Sequence, residues 1–319
     1  MEEIIREPDV NIVDLVDSTH GDGGRESFET PSALPLRHFK LTSHPFADSV
    51  NPEYFFRTEA HEEAFIAMRQ CIEDNVALGL TTAISGTGKT LLTQVLLQEL
   101  DPRRYQSILI LAYPGMTRTG LLREILSELK VEKVSKRGGV HKMITAIQEH
   151  IIQQYLLGIR LVLIIDEVHF LSADALHILR TLSNIEVPEK KLVTVLLFGE
   201  QSFLKKMKRP VFRSIFSRMF ARTRIRPLYP HEVGQYVKFR LMVAGGDPEL
   251  IAPSAIGTLH ELSEGIPREI NRICHNAMLI AAREGKKQID ADVIRLVPPA
   301  QPLEDSIRSW ADRGRRCKI

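Results

Sequence analysis

Three observations predict a parallel α/β fold followed by a smaller all-helical unit. Short apolar runs alternate with helical periods between Leu80 and Ile225, the pattern of strands buried on both faces and joined by crossover helices. One run opens into a glycine-rich turn, and another ends in two adjacent acids. After Pro230 the strand pattern stops and only helical periods remain.

The elements follow in order. Residues 1–38 are acidic, rich in Gly, Ser, Asp and Glu, and without a sustained period. That composition predicts a mobile tail, with the folded unit starting near His38-Phe39. Leu80–Ile84 reads as a strand and Lys89–Leu100 as the helix after it. Ser107–Ala112 is a second strand, followed by helices over Thr119–Leu129 and Val140–Leu156. Leu161–Ile165 is a continuous apolar run and a third strand, with a helix over Ser172–Asn184 behind it. Val193–Phe198 is a fourth strand, and Thr223–Ile225 a candidate fifth. The helical unit comprises His231–Ala244, Ser254–Leu262, Pro267–Arg283 and Ala291–Leu296. Pro253 and Pro267 suit first-turn positions. The division is therefore 1–38 tail, 39–230 sheet unit, 231–297 helical unit and 298–319 tail with a basic end.

Bulk composition excludes several classes. The chain has 319 residues, 44% of them hydrophobic and 26% charged, with formal net charge +2. Such a balance does not mark a nucleic-acid binder unless charge is clustered locally. Cys71, Cys274 and Cys317 are far apart, lack metal-ligand spacing and are odd in number, so they read as unpaired thiols in a reducing compartment. No apolar run approaches the ~20 residues of a membrane helix. The N-terminus MEEIIREPDV lacks the basic and apolar regions of a signal peptide. A cytoplasmic protein without its own membrane anchor is expected.

Residues 83–90 read Ala-Ile-Ser-Gly-Thr-Gly-Lys-Thr, close to the P-loop pattern G-x-x-x-x-G-K-[ST] between strand and helix. Gly86 and Gly88 permit a tight turn whose amides, together with those of Ser85 and Thr87, point at phosphate oxygens. The following helix adds its positive N-terminal end. Lys89 is placed to reach the β and γ phosphates and the Thr90 hydroxyl to ligate Mg²⁺. The first position is Ala83 instead of Gly, and its methyl group is expected to restrict the turn. The second motif is LVLIIDE at 161–167. Asp166, at the carboxyl end of a buried strand, is placed to hold Mg²⁺, and Glu167 to polarise an attacking water. In open α/β sheets ligands bind at those strand ends.

Further positions are candidates for sensing nucleotide. Glu200-Gln201 follows the fourth strand, where a polar side chain reads either as a phosphate sensor or as a surface turn. Residues 205–226 contain Lys205, Lys206, Lys208, Arg209, Arg213, Arg218, Arg222, Arg224 and Arg226 and no acid. Three readings compete: a solvated face, an arginine finger reaching a neighbouring subunit, and a nucleic-acid backbone contact. Arg268 lies in the first turn of a helix, where the dipole disfavours a cation. It reads as a phosphate partner or as an exposed helix arginine.

Together these residues resemble the AAA+ ATPases, most closely the ExeA/GspA-like group, over about residues 38–297. The shared series runs through His44-Pro-Phe46, Asn51-Pro-Glu-Tyr-Phe-Phe56, Thr58-Glu-Ala-His-Glu-Glu-Ala64, the P-loop, DEVHFL at 166–171 and Leu182-Ser-Asn-Ile-Glu186. It continues through YVKFRLMVAG at 236–245 and GIPREINRIC at 265–274. The resemblance implies a RecA-like αβα core with a helical lid. It implies ATP and Mg²⁺ bound between core and lid, at a site completed by a second copy. By that likeness Arg268 looks like sensor 2 and Arg218 like the arginine finger, with Arg213 next in line. The HPF and YFF segments look like the wall of the adenine pocket. Members of the ExeA type continue into a membrane helix and a peptidoglycan-binding domain, which this sequence lacks, so a cell-wall role is not expected. The implied function is an oligomeric ATPase that remodels or recruits a protein assembly of a secretion or pilus system. The alternative is a DNA-binding transposition regulator similar to MuB or TnsC, whose protein partner is a transposase.

Overall fold

The computed structural model describes residues 33–131, 139–188 and 190–299. Strands β1 (Leu78–Ala83), β2 (Tyr105–Leu111) and β3 (Arg160–Asp166) belong to its main sheet. The strands β4 (Glu186–Val187) and β5 (Lys190–Lys191) form a separate antiparallel ladder. With β6 (Val193–Glu200) and β7 (Met219–Ile225) the main sheet has five strands, all parallel, in the order β2-β3-β6-β1-β7. The twelve helices among the described residues are α1 (Ala33–His38), α2 (Glu59–Glu73), α3 (Lys89–Glu99), α4 (Arg118–Glu128), α5 (Val140–Leu156), α6 (Ala173–Leu182), α7 (Ser202–Met207), α8 (Arg213–Phe216), α9 (Pro230–Val243), α10 (Ala255–Ser263), α11 (Pro267–Arg283) and α12 (Ala291–Arg295). None of the described helices is long and apolar enough to cross a membrane.

The apolar runs are continuous because each strand is covered on both faces. Along β3, Leu161, Leu163 and Ile165 join a core with α4, α5 and α6. The alternate residues Val162 and Ile164 join a second core with α2 and α3. A strand places successive side chains on opposite faces, so both sets must be apolar. This yields the predicted three-layered αβα arrangement.

Several boundaries differ from expectation. The first strand begins at Leu78 and ends at Ala83 instead of Ile84. The fifth strand extends back to Met219. It is the sheet edge, and its outward Arg222 and Arg224 are exposed, so it lacks the apolar continuity that marks the inner strands. The helix α2 follows from a cap at Thr58, whose hydroxyl accepts the His61 amide while the His61 ring faces the Thr58 amide. The expected tail over 1–38 is corrected at its end: residues 33–38 form α1, held against the helical unit by His38 Nε2 hydrogen-bonded to the Lys286 carbonyl (2.7 Å). The rest of that tail, the C-terminal tail beyond Pro299 and Cys317 lie outside the described residues.

The helices after Pro230 have their own core, and it is not made from them alone. Leu41 and Phe46 are buried in it, with Phe39 and Phe56 against it. Arg240 in α9 is 4% exposed and fixes this upstream segment. Its guanidinium donates to the carbonyls of Pro45 and Ala47 and to the Tyr236 hydroxyl (2.9 Å), and it lies 4.7 Å over the Tyr54 ring. A buried cation needs such partners to offset its desolvation. Segment 39–56, adjacent in sequence to the sheet unit, is thus packed on the helices.

Candidate nucleotide-binding site

The turn after β1 adopts the backbone that its glycines permit. Gly86 (φ 81°) and Gly88 (φ 98°) are left-handed, which side-chain-bearing residues disfavour by roughly 1–2 kcal/mol. Ala83 lies outside that region and closes β1 in register with Glu200 and Ile225. The expected restriction by its methyl group is therefore absent. Thr87 Oγ1 donates to the Ile84 carbonyl (2.8 Å). From below, His61 Nε2 is hydrogen-bonded to the Thr87 carbonyl (2.8 Å) and Nδ1 to Thr58 Oγ1 (2.7 Å). Burial holds the His61 pKa below its ordinary value, partly opposed by the bond to Thr87. A neutral ring carrying its proton on Nε2 satisfies both bonds.

The α3 helix starts at Gly88 with no side chain capping it. Its first amides are free to meet an anion at a positive helix end. Lys89, the first residue of α3, is 5% exposed and makes no hydrogen bond or ion pair among the described residues. Thr90 Oγ1 donates to Asp166 Oδ2 (3.0 Å), and the other Asp166 oxygen accepts the Glu167 amide (2.8 Å). Glu167 has a left-handed backbone (φ 54°, ψ 37°). For a non-glycine residue at a strand end that is a strained state of the kind stored at functional sites.

Across the cleft stands the N-terminus of α11. The Arg268 amide donates to the Gly86 carbonyl (3.2 Å), and its Nη1 to Ser85 Oγ (3.2 Å). Arg268 also faces Asp48, with Nε 3.9 Å from Oδ1. Ser85, Gly86, Gly88, Lys89, Thr90, Glu167 and Arg268 line one open cleft of about 670 Å³, solvent at its mouth included. Its far wall is Asp48-Ser49-Val50, Tyr236, Arg240 and Asn271. Tyr236 donates its hydroxyl hydrogen to Asn271 Oδ1 (2.8 Å).

Two sequence candidates lie elsewhere. Arg218 is exposed on the turn before β7, where it donates to Asn184 Oδ1. The chain by itself does not bring it to the cleft. Glu200 ends β6 and Gln201 follows it, and neither lines the cleft. The Glu200 carboxylate faces His169, and Gln201 Nε2 is buried without a hydrogen-bond partner. Sequence reasoning assigned no individual role to His61, His169 or Asn271. All three lie inside the quoted motif series, but their partners are remote in sequence.

Comparison with known proteins bears on the family and the fold. The AAA domain family matches residues 73–207. The chain is 36% identical over 251 residues to the general secretion pathway protein A of Aeromonas hydrophila. That match takes in 79% of this chain and 45% of the relative, so the chain spans less than half the length of that curated protein. Among solved structures, the Cdc6p protein of Pyrobaculum aerophilum is similar with a TM-score of 0.62 at 15% identity, over 78% of this chain and 68% of that one. The ORC2 protein of Aeropyrum pernix gives 0.61 at 13% identity, over 80% and 71%. At such identities the likeness shows the fold alone. With its P-loop, its parallel sheet and its likeness to the secretion protein, the chain belongs to the AAA+ family, in the ExeA/GspA-like group.

Proposed function

We propose that this chain is an oligomeric AAA+ switch that binds ATP with Mg²⁺ in the cleft and hydrolyses it. The observation that carries the reading is Lys89, which is 5% exposed, lines the open cleft and makes no hydrogen bond or ion pair among the described residues, directly after a glycine turn at an uncapped helix end. A cation facing a cleft beside the positive end of a helix has no protein anion to pair with, and an anionic phosphate group supplies that partner. The donor set fits a hard cation as well: Thr90 Oγ1 and the Asp166 carboxylate offer two oxygens already 3.0 Å apart. When bound, ATP supplies a transferable phosphoryl group, and Mg²⁺ neutralises phosphate charge.

The chain's own residues do the rest. Lys89 and the amides of Ser85 to Thr90 hold the phosphates. Thr90 and Asp166 hold the cation. Glu167 takes the proton of the attacking water on its carboxylate. Arg268 joins the helical unit (231–297) to the nucleotide-binding unit (39–230) and acts as a second cation on the phosphates. Arg218, remote from its own cleft, serves the cleft of a neighbouring copy. Asp48 to Val50, Tyr236 and Asn271 form the wall that receives the base.

The test is nucleotide binding and turnover in two variants. Lys89→Ala should weaken binding on the order of 10–100-fold, the effect of losing a charged hydrogen-bonding partner. Glu167→Gln should keep binding and lose turnover by about 10²–10⁴-fold. Unchanged binding in the first variant would refute the cleft as the nucleotide site. The partner in this reading is a protein assembly of the secretion or pilus type, on the likeness to the secretion protein.

A second reading is favoured by one observation. Exposed Lys205, Lys208, Arg209, Arg213, Arg222 and Arg224 have no carboxylate partner among the described residues. A double-stranded DNA scaffold role, with a transposase as protein partner, predicts ATP-dependent binding that weakens steeply with salt. No DNA binding at low salt with a slowly hydrolysed ATP analogue would remove this reading.

A further inference from the structure

We propose that His169 is a positioning residue for Glu167, and that through it the Glu200 carboxylate sets where the Glu167 carboxylate stands. The inference rests on the reading of Glu167 as the group that receives the water proton.

His169 lies on a single helical turn, Val168–Phe170, directly after β3. Its side chain is 14% exposed, with Nδ1 3.2 Å from Glu167 Oε2 and Nε2 4.0 Å from Glu200 Oε2. The Glu200 amide also lies 3.4 Å from Nδ1. Nδ1 is therefore within reach of one acceptor and one donor. A neutral ring satisfies only one of them at a time.

Two arrangements follow. With the ring proton on Nδ1, His169 donates to Glu167 and holds its carboxylate in place. With the proton on Nε2, Nδ1 accepts from the Glu200 amide, Nε2 faces the Glu200 carboxylate, and Glu167 is released. The Glu200 carboxylate favours the second arrangement by attracting the Nε2 proton. The charged groups around the turn are Glu167 on the same segment, Glu200 at the end of β6, and Lys206 on α7. The Lys206 ammonium donates to the carbonyls of His169 (3.1 Å) and Leu171 (2.5 Å), not to the ring.

The turn is built to stay where the ring can make this choice. A Cβ on Gly199 would meet Val168 Cγ1 at 2.7 Å and the His169 amide at 3.5 Å, so only a glycine in β6 lets the two segments approach this closely. The Phe170 ring lies against the imidazole with centroids 4.1 Å apart. Glu200 does not line the cleft. Its route to the reacting groups is the imidazole, which makes it an indirect sensor placed between β6 and the end of β3.

The experiment is a double-mutant cycle on ATP turnover, with nucleotide affinity measured separately on each variant. An asparagine at 169 keeps a donor near the Nδ1 position but does not reach Glu200. His169→Ala should lower kcat by ~10–100-fold, the effect of a misplaced catalytic group, with the nucleotide Kd within about twofold. His169→Asn should recover most of that loss. Glu200→Gln removes the pull on the Nε2 proton and leaves His169 holding Glu167, so it should raise kcat by up to ~10-fold in the natural background and leave it unchanged in the His169→Asn background, a coupling that independent structural effects would not produce. Equal effects of Glu200→Gln in both backgrounds, or normal kcat in His169→Ala, would overturn the proposal. Glu167→Gln separates the two readings. If it retains turnover, the role of Glu167 fails. If it is inactive while the cycle shows no coupling, only the positioning role fails.

Discussion

Gly265 offers a test of how the helical unit is fastened to the rest of the chain. It precedes α11, has φ 69°, and accepts the Leu228 amide on its carbonyl (2.8 Å). A Cβ there would lie 2.1 Å from the Leu228 carbonyl oxygen and 3.1 Å from the Leu228 nitrogen. Both are backbone atoms, so no side chain can swing aside. Gly265→Ala therefore carries left-handed strain of roughly 1–2 kcal/mol. It also disrupts a backbone hydrogen bond in a buried setting, roughly 1–3 kcal/mol. The sum is about 2–5 kcal/mol, or about 3–8 °C in Tm for a chain of this size. Gly285 supplies the control: its φ is 68°, and an added Cβ would meet nothing within 4 Å. Gly285→Ala should cost the strain alone, about 1.5–3 °C. Thermal melts followed by tryptophan-independent circular dichroism compare the two. Equal shifts would refute the close approach between Gly265 and Leu228.

Other outcomes are equally specific. Arg218→Ala should bind ATP normally yet hydrolyse it about 10³-fold more slowly or worse, as for an arginine supplied in trans. Mixing it with Glu167→Gln should restore part of the activity, and a mixture as inactive as its components would argue against a shared site. The His61 pKa is lowered by burial, so on acidification the unfolded chain takes up that proton first. Its contribution to stability is complete above about 6.5 and declines as pH falls from there towards the lower folded value. The advantage in Tm of the natural chain over His61→Gln should shrink between pH 7 and pH 5.5, and a constant difference would sink the assignment. Burial pushes the Cys71 thiol up to about 11 and Cys274 higher still. Neither should react with a thiol reagent at pH 8 in the native state, and both should react in urea. Prompt native labelling at either position would contradict its burial.

Much of the site was legible because it is written in residue types that the backbone itself demands. The left-handed turn needs glycine at 86 and 88, and β3 needs apolar residues on both faces until it reaches Asp166. Those requirements are local and leave a spacing. The edge strand β7 was mostly hidden because one face of it meets solvent and carries arginines. The helix α2 was hidden behind its charges, although Thr58 and His61 mark its start. The contact of His61 with Thr87 joins residues from different elements, and no period or spacing encodes such a meeting. Arg218 is a different case: its proposed destination is on another copy, so neither the sequence nor one folded chain places it.

The buried guanidinium of Arg240 has a consequence for how the molecule comes into being. It ties the carbonyls of Pro45 and Ala47 to a helix almost two hundred residues later. Leu41 and Phe46 likewise lie in a core otherwise made from residues 228–297. On the ribosome these early side chains emerge long before anything exists to cover them. The sheet can assemble as its strands appear, but the helical unit must wait for α11 and α12 before its first-made piece finds a home. A fragment ending near Pro230 would leave that piece bare, and a fragment beginning there would leave Arg240 without its acceptors. Truncations meant to isolate either half should retain residues 33–56 with the helices they serve.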